Sequence, residues 1–204
     1  HAIVFDSPFF GPEAARQAAG WLGVPLHIVD FTEDILSLVE NPPHGFGSGM
    51  NPCIDCHARM LRRAGEFMEK NGFHFLSTGE VLNERPMSQN RQSLSVVAKD
   101  SGYDGLIVRP LSAQRLPETR AEAMGWVDRS RLLSFCGRSR KPQMELAGKY
   151  GLTDFPTPAG GCRLTEPNFS RRLKDLQDHD GLRDRKGLRL LRIGRHVRHS
   201  DRIK

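Results

Sequence analysis

The sequence contains few cysteines and no long apolar run, and both absences limit the kind of protein it encodes. Four cysteines in 204 residues are too few for a disulfide scaffold, which favours a reduced, cytoplasmic setting. No stretch approaches the roughly 20 apolar residues of a transmembrane helix, and nothing resembles a signal peptide. We therefore expect a cytoplasmic globular protein that has no membrane partner.

The net charge of +6 is distributed unevenly along the chain. Residues 171–204 contain 12 Lys or Arg against 5 Asp, or +7, so the rest of the chain is close to neutral. A basic segment of this kind favours contact with a polyanion, and a solvated basic tail is the alternative.

Hydrophobic periodicity predicts strands that alternate with helices over residues 1–150. This alternation is typical of an α/β fold with a parallel sheet, in which ligands bind at the carboxyl ends of the strands. Three polar segments follow predicted strands and are expected to meet in one crevice: Asp6-Ser7, Thr78-Gly79-Glu80 and Arg109-Pro110. Residues 151–204 are predicted to form a small basic extension, with a strand or hairpin at 188–197.

The longest predicted helix begins at a two-cysteine motif, Cys53–His57. Asn51 and Pro52 suit the N-cap and the first helical position. Cys53 and Cys56 are three residues apart, so they share a helix face, which we expect to point away from the packing face. A helix N-terminus favours the thiolate form of cysteine, which binds metals and acts as a nucleophile.

A third cysteine, Cys162, follows two glycines that would let the backbone approach a bulky ligand. Together with Cys53 and Cys56 it could hold an iron–sulfur cluster with one open iron. A zinc ion completed by His57 or by water is the alternative. The spacing of the three cysteines leaves both metal sites open.

The segment Thr78–Gln89 is a second candidate site. Gly79 permits a tight turn after a strand, and Ser88 and Gln89 are predicted at the start of the next helix, where backbone N–H groups attract phosphate. Arg85 could neutralise part of the phosphate charge. An ordinary turn with a capping serine is the alternative.

Taken together, these segments resemble the PP-loop ATP pyrophosphatase domain of tRNA 4-thiouridine synthetases. The matching segments are Phe5–Phe10, Thr78–Leu82 with Ser88-Gln89, and Arg109-Pro110-Leu111. The resemblance covers residues 1–150 and implies an adenine nucleotide alpha hydrolase-like domain, in which ATP with Mg²⁺ adenylates a tRNA base carbonyl. It implies nucleotide-binding roles for Phe5, Asp6, Ser7, Gly79, Glu80, Ser88 and Gln89.

The chain differs from that family in its pyrophosphate loop and its sulfur source. The signature loop SGGxDS does not occur, and the chain enters a strand directly from His1, so we expect the first strand and this loop to lie upstream. Cys53, Cys56 and Cys162 are similar instead to the cysteines of iron–sulfur tRNA thiolases in the same superfamily. In those enzymes three cysteines hold a 4Fe–4S cluster, which implies that these residues are catalytic as well as metal-binding.

The sequence therefore predicts an ATP-dependent tRNA sulfurtransferase that takes sulfur from sulfide or from a persulfide carrier. The basic segment would guide tRNA through phosphate contacts, which weaken steeply with salt. Its candidate RNA-binding residues are Arg171, Arg172, Arg192, Arg195 and Arg198. Two alternatives stay open, a zinc-bearing PP-loop enzyme that acts on a small molecule and a non-catalytic RNA-binding relative.

Overall fold

The computed structural model describes residues 1–152, 162–179, 181–182, 185–193 and 196–200. The protein is a mixed α/β structure with about 48% helix and short parallel strands. It divides into two compact units: unit 1 contains His1–Pro52 and Pro156–Lys204, and unit 2 contains Cys53–Phe155. The division at residue 150 stays a prediction, as does a nucleotide-binding domain. In the described part of the chain, no helix is long and apolar enough to cross a membrane.

Unit 1 begins with two parallel strands, β1 (Ala2–Asp6) and β2 (Leu26–Asp30), in a register that runs from Ala2 opposite Leu26 to Asp6 opposite Asp30. Parallel strands need a crossover, and helix α1 (Glu13–Leu22) provides it. Gly23 ends α1 with a φ of 62°, a left-handed conformation that glycine adopts without strain. Helix α2 (Thr32–Glu40) follows β2.

Unit 2 repeats the strand–helix–strand arrangement on a smaller scale. Its elements are α3 (Cys53–Lys70), β3 (Leu76–Ser77), α4 (Arg91–Ser101), β4 (Ile107–Val108), α5 (Arg120–Ala123) and α6 (Lys141–Lys149). Strands β3 and β4 pair in parallel, with Leu76 opposite Ile107. The apolar residues that cover this pair are fully buried on α4, where Leu94 and Val97 are at most 2% exposed.

The C-terminal helices α7 (Pro167–His179) and α8 (Arg185–Leu190) belong to unit 1. Phe169 on α7 meets Phe9 edge-on, with the ring centroids 5.9 Å apart and both rings fully buried. Ser170 Oγ donates to the carbonyl of Leu164 at 2.8 Å and accepts from the amide of Met50 at 3.2 Å. The first and last segments of the chain therefore share one core.

The predicted strand at 188–197 is wrong, because residues 185–190 form helix α8. A strand buries alternate residues, which would place Leu188 and Leu190 on the same face. Instead, Leu188 and Leu191 are buried while Leu190 is 58% exposed. The spacing of three residues between the two buried leucines is that of a helix face.

Candidate functional site

A buried ion pair lies at the carboxyl ends of β3 and β4. Glu80 comes shortly after β3 and Arg109 directly after β4, so parallel pairing brings them to the same edge. Arg109 Nε donates to Glu80 Oε2 at 2.8 Å, and both side chains are less than 10% exposed. Two of the three segments that were expected to share a crevice therefore meet in unit 2, and the third, Asp6-Ser7, follows β1 in unit 1.

Helix α3 adds a histidine to this ion pair. His57 Nδ1 lies 3.1 Å from Glu80 Oε1, and Nδ1 carries the hydrogen because an ionised carboxylate only accepts. Thr78 Oγ1 donates to Glu80 Oε2 at 3.1 Å. Both carboxylate oxygens are thus hydrogen-bonded, as a buried charge requires.

The pKa of Glu80 reflects a balance of opposing effects. Burial by itself raises the pKa, because it disfavours the charged form of the carboxyl group. The hydrogen bond from His57 and the positive charge of Arg109 lower the pKa and together outweigh burial, which leaves it at about 2. Glu80 is therefore ionised at neutral pH, and it orients His57 and Arg109 instead of exchanging a proton with a substrate.

The two cysteines of α3 differ in their exposure. The structure describes all four cysteines of the chain, and none of them forms a disulfide. Cys53 is half-buried, whereas Cys56 is 8% exposed and lies beside the buried Asp55. The expectation that both thiols point away from the packing face is therefore wrong for Cys56. Cys53 shares a helix face with His57, four residues later.

The chemistry of the donors fits the predicted metal site in part. Two thiols one helical turn apart are ligands of the type that iron–sulfur clusters and zinc use. Among the described residues, however, no group of three or more His, Cys, Asp or Glu side chains is placed to hold a metal ion. Cys162 is half-buried and belongs to unit 1, and the Pro/Gly loop before it, residues 155–161, lies outside the described residues. A three-cysteine site stays a prediction.

Ser88 and Gln89 are both buried and precede helix α4. The N-cap of α4 is Asn90, whose side chain accepts from the amide of Ser93 at 2.9 Å. Gln89 Oε1 is buried and has no hydrogen-bond partner within the described part of the structure. Native proteins rarely leave a buried acceptor unpaired, so this atom marks a place for a donor from a ligand or from water.

The N-terminal candidate residues lie at the end of β1. Ser7 Oγ accepts from the amides of Phe9 and Phe10 at 3.1 and 3.2 Å, so the hydroxyl closes the turn after the strand. The ring of Phe5 packs at 5.2 Å from that of Phe31. Asp6 is exposed. Ser7 therefore holds the turn, and Asp6 is the group available to a ligand.

The predicted RNA-binding arginines have different environments. Arg198 is bound in bidentate fashion to Asp175, with Nε 2.6 Å from Oδ1 and Nη2 2.9 Å from Oδ2. The guanidinium of Arg172 lies 5.8 Å from the ring centre of Phe169. These contacts stabilise α7 and its surroundings, and the carboxylate of Asp175 already offsets the charge of Arg198.

The other three predicted arginines are exposed or outside the described residues. Arg171 donates to Asn168 on the same helix. Arg192 lines a cavity of about 210 Å³ together with Asp6 and Ser7. Arg195 lies outside the described residues. Arg192 is therefore the member of the set whose position points to a ligand.

Two residues of this cavity, Arg185 and Arg189, are absent from the sequence-based site. Arg185, Arg189 and Arg192 recur at i, i+4 and i+7, which is the spacing of one helix face. The pattern was available in the sequence, but a strand prediction for 188–197 separates these side chains onto opposite faces.

Comparisons with models of protein families, with curated proteins and with solved structures find no match to this chain. The resemblance to PP-loop enzymes therefore depends on the short motifs quoted above. Residues from three of those motifs, His57, Glu80 and Arg109, contact one another in unit 2.

Proposed function

We propose that the protein is an ATP-dependent tRNA sulfurtransferase of the PP-loop type. One observation carries the proposal: Glu80 of the TGE motif contacts Arg109 of the RPL motif and His57 of the CxxCH motif. These partners are 29 and 23 residues from Glu80 along the chain. A chance occurrence of three short motifs would not require their charged side chains to meet in a buried cluster.

Two features of unit 2 support a nucleotide ligand. Gln89 Oε1 is a buried acceptor whose partner is missing among the described residues, and the exocyclic amino group of adenine is a suitable donor. Gly79 has open space where a Cβ would lie. Since packing within the described protein does not require a glycine there, close approach of a ligand to the backbone explains it better.

The proposed reaction has two steps. The carbonyl oxygen of a uridine attacks the α-phosphate of ATP, and pyrophosphate leaves. Sulfide, or the terminal sulfur of a persulfide, then adds to the activated ring carbon, and AMP departs with the oxygen. In this chain Glu80 would fix His57 and Arg109 beside the reacting groups, which lowers the entropy lost on reaching the transition state.

Cys53 and Cys56, with Cys162, would hold the sulfur source. Their thiolates suit a 4Fe–4S cluster or a zinc ion, and a bound cluster would supply a site that retains sulfide until it reacts. The half-exposed Cys53 is the thiol of α3 that is open to a ligand, while the buried Cys56 is screened from solvent oxidants.

The test of the metal site is an anaerobic purification of the full-length protein, with an absorption spectrum and assays for iron, acid-labile sulfide and zinc. Cys53→Ser, Cys56→Ser and Cys162→Ser should each lose a brown iron–sulfur chromophore. Cys136→Ser is the matched control, because Cys136 is an exposed thiol outside the proposed set. A colourless protein with one zinc would favour the small-molecule enzyme, and a chromophore retained in any of the three variants would remove that cysteine from the site.

The test of the nucleotide site is the melting temperature of the full-length protein with and without ATP and Mg²⁺. A ligand that binds only the folded state stabilises it, by about 2.7 kcal/mol at one hundred times its Kd. Gln89→Ala should reduce the shift that ATP produces. Gln143→Ala is the matched control, because Gln143 also has a buried Oε1 without a partner in the described residues but lies outside the proposed site. No shift in the wild-type protein would favour a non-catalytic RNA-binding relative.

A further inference from the structure

A basic cavity of about 210 Å³ lies at the carboxyl end of β1 in unit 1. Arg185, Arg189 and Arg192 line one side, and Asp6 and Ser7 contribute to the rest of the lining. Three guanidinium groups therefore face a cavity to which one carboxylate contributes. The arrangement favours an anionic ligand.

The burial of α8 accounts for the position of the three arginines. Leu188 and Leu191 are at most 1% exposed and anchor one face of the helix. The amide of Arg192 donates to the carbonyl of Arg189 at 3.2 Å, so the helical path continues past the end of α8. Because the leucines fix the rotation of the helix, the arginines at i, i+4 and i+7 point together to the other side.

The charges in the cavity are only partly neutralised. Arg185 forms an ion pair with Glu33 on α2. In the described part of the chain, the side chains of Arg189 and Arg192 have no carboxylate partner. Two neighbouring guanidinium groups repel each other, and an anion between them removes that repulsion. The planar fork of arginine matches two oxygens of a phosphate group.

The size and surroundings of the cavity favour a phosphate that belongs to a larger molecule. Its volume lies below the roughly 300–1,000 Å³ of pockets that enclose a drug-sized ligand, so it suits one phosphate with its sugar. Asp6 is exposed beside the arginines, and a carboxylate there can accept a hydrogen bond from a ribose hydroxyl. The excess of +7 over residues 171–204 extends beyond the cavity and favours a polyanion over a mononucleotide.

We propose that this cavity binds a backbone phosphate of RNA, with Arg189 and Arg192 as its ligands and Asp6 at the adjoining 2′-hydroxyl. The identity of that RNA as tRNA rests on the proposed function. The inference moves Asp6 from the ATP site that the PP-loop resemblance implies to the RNA-binding surface.

Fluorescence anisotropy with labelled tRNA, repeated over a range of salt concentrations, tests this proposal on the full-length protein. Arg189→Ala and Arg192→Ala should each weaken binding and reduce the slope of log K against log salt by about 1. Arg16→Ala is the matched control, since it removes the same charge from an exposed position on α1 outside the cavity. All three arginines are exposed, so we expect melting temperatures equal to that of the wild-type protein.

A second readout examines the ribose contact. The wild-type protein should bind an RNA oligonucleotide more tightly than a DNA oligonucleotide of the same sequence, because only RNA offers the 2′-hydroxyl. Asp6→Ala should reduce this preference without the loss of salt dependence that the arginine variants show. An unchanged preference would remove Asp6 from the proposal.

The same variants should be titrated with ATP and with AMP. Weaker nucleotide binding with unchanged tRNA binding would assign the cavity to a free nucleotide and overturn the proposal. No change for either ligand would show that the cavity is not an anion site. Arginine variants that lose tRNA binding in a protein that thiolates no tRNA would uphold the cavity and reject the proposed function. Thiolation and tRNA binding that are unaffected by the arginine variants would do the reverse.

Discussion

At the scale of single residues, Glu80 connects three segments of unit 2. Its two carboxylate oxygens accept from His57, Thr78 and Arg109, which lie on α3, after β3 and after β4. A charged group in such a position is costly to bury unless every lone pair has a partner. The carboxylate therefore positions two side chains of the proposed site and also stabilises the fold.

The low pKa of Glu80 predicts how the stability of the protein depends on pH. The pKa is about 2 in the folded protein against an ordinary value of 4.5, so the charged form stabilises the folded state by roughly 3 kcal/mol at pH 7. This contribution is complete above about pH 4.5 and is lost as the pH falls towards 2. Glu80→Gln should therefore lower the free energy of unfolding at pH 7 and have a progressively smaller effect at acidic pH. Urea unfolding at several pH values measures the difference.

Glu66→Gln provides the control for this experiment. Glu66 lies on α3 of the same unit, is 53% exposed and pairs with Arg63 at 3.6 Å. Exposed ion pairs contribute between about 0 and 1 kcal/mol, so the substitution should have little effect at any pH. If Glu80→Gln were equally harmless at pH 7, Glu80 would not be the stabilising group described here.

At the scale of elements, the close packing of α3 requires a glycine at position 65. A Cβ on Gly65 would overlap the ring of Tyr103, whereas a Cβ on Gly148 of α6 would meet no atom within 4 Å. Helix propensity alone favours alanine over glycine at an interior position by about 0.5–1 kcal/mol. The two positions therefore separate packing from propensity.

Gly148→Ala should raise the free energy of unfolding by up to about 1 kcal/mol, because only propensity changes. Gly65→Ala should lower it by about 1–3 kcal/mol, the usual range for overpacking. Removal of the ring by Tyr103→Ala should reverse the sign, so that Gly65→Ala becomes stabilising in that background. Thermal unfolding of the four variants measures this cycle, and additive effects of the two substitutions would contradict the packing explanation.

At the scale of the whole molecule, unit 1 is discontinuous in sequence and unit 2 is inserted into it. Each unit contains one of the two tryptophans, Trp21 on α1 and Trp126 beside His74 in unit 2. Both indoles are partly exposed, at 45% and 41%. Trp126→Phe and Trp21→Phe therefore leave one fluorescent reporter in unit 1 or in unit 2.

Compact units with their own cores generally unfold as separate cooperative units. Glu80→Gln should thus lower the urea midpoint that Trp126 reports by more than the midpoint that Trp21 reports. The experiment compares the two single-tryptophan proteins with and without Glu80→Gln. Equal shifts for both reporters would show that the two units unfold in one step.

Local patterns in the sequence determined most of the elements of both units. The helix at 53–70 follows from the apolar spacing along α3, and the end of α1 follows from Gly23, which alone among common residues takes a positive φ without strain. Strand β1 follows from a short apolar run. The convergence of Glu80 and Arg109 also followed from the sequence, because parallel strands end at the same edge.

Tertiary structure decided what local patterns do not encode. Burial of Cys56 depends on the environment of the first turn of α3, and a helix period alone does not report that environment. The helical state of residues 185–190 depends on Leu188 and Leu191 reaching the core of unit 1, since a short basic segment has no decisive propensity of its own. The basic cavity exists because long-range packing brings α8 to the end of β1, about 180 residues away in the sequence. Contacts over that distance depend on the whole fold, so the sequence shows the arginines while the fold shows what they face.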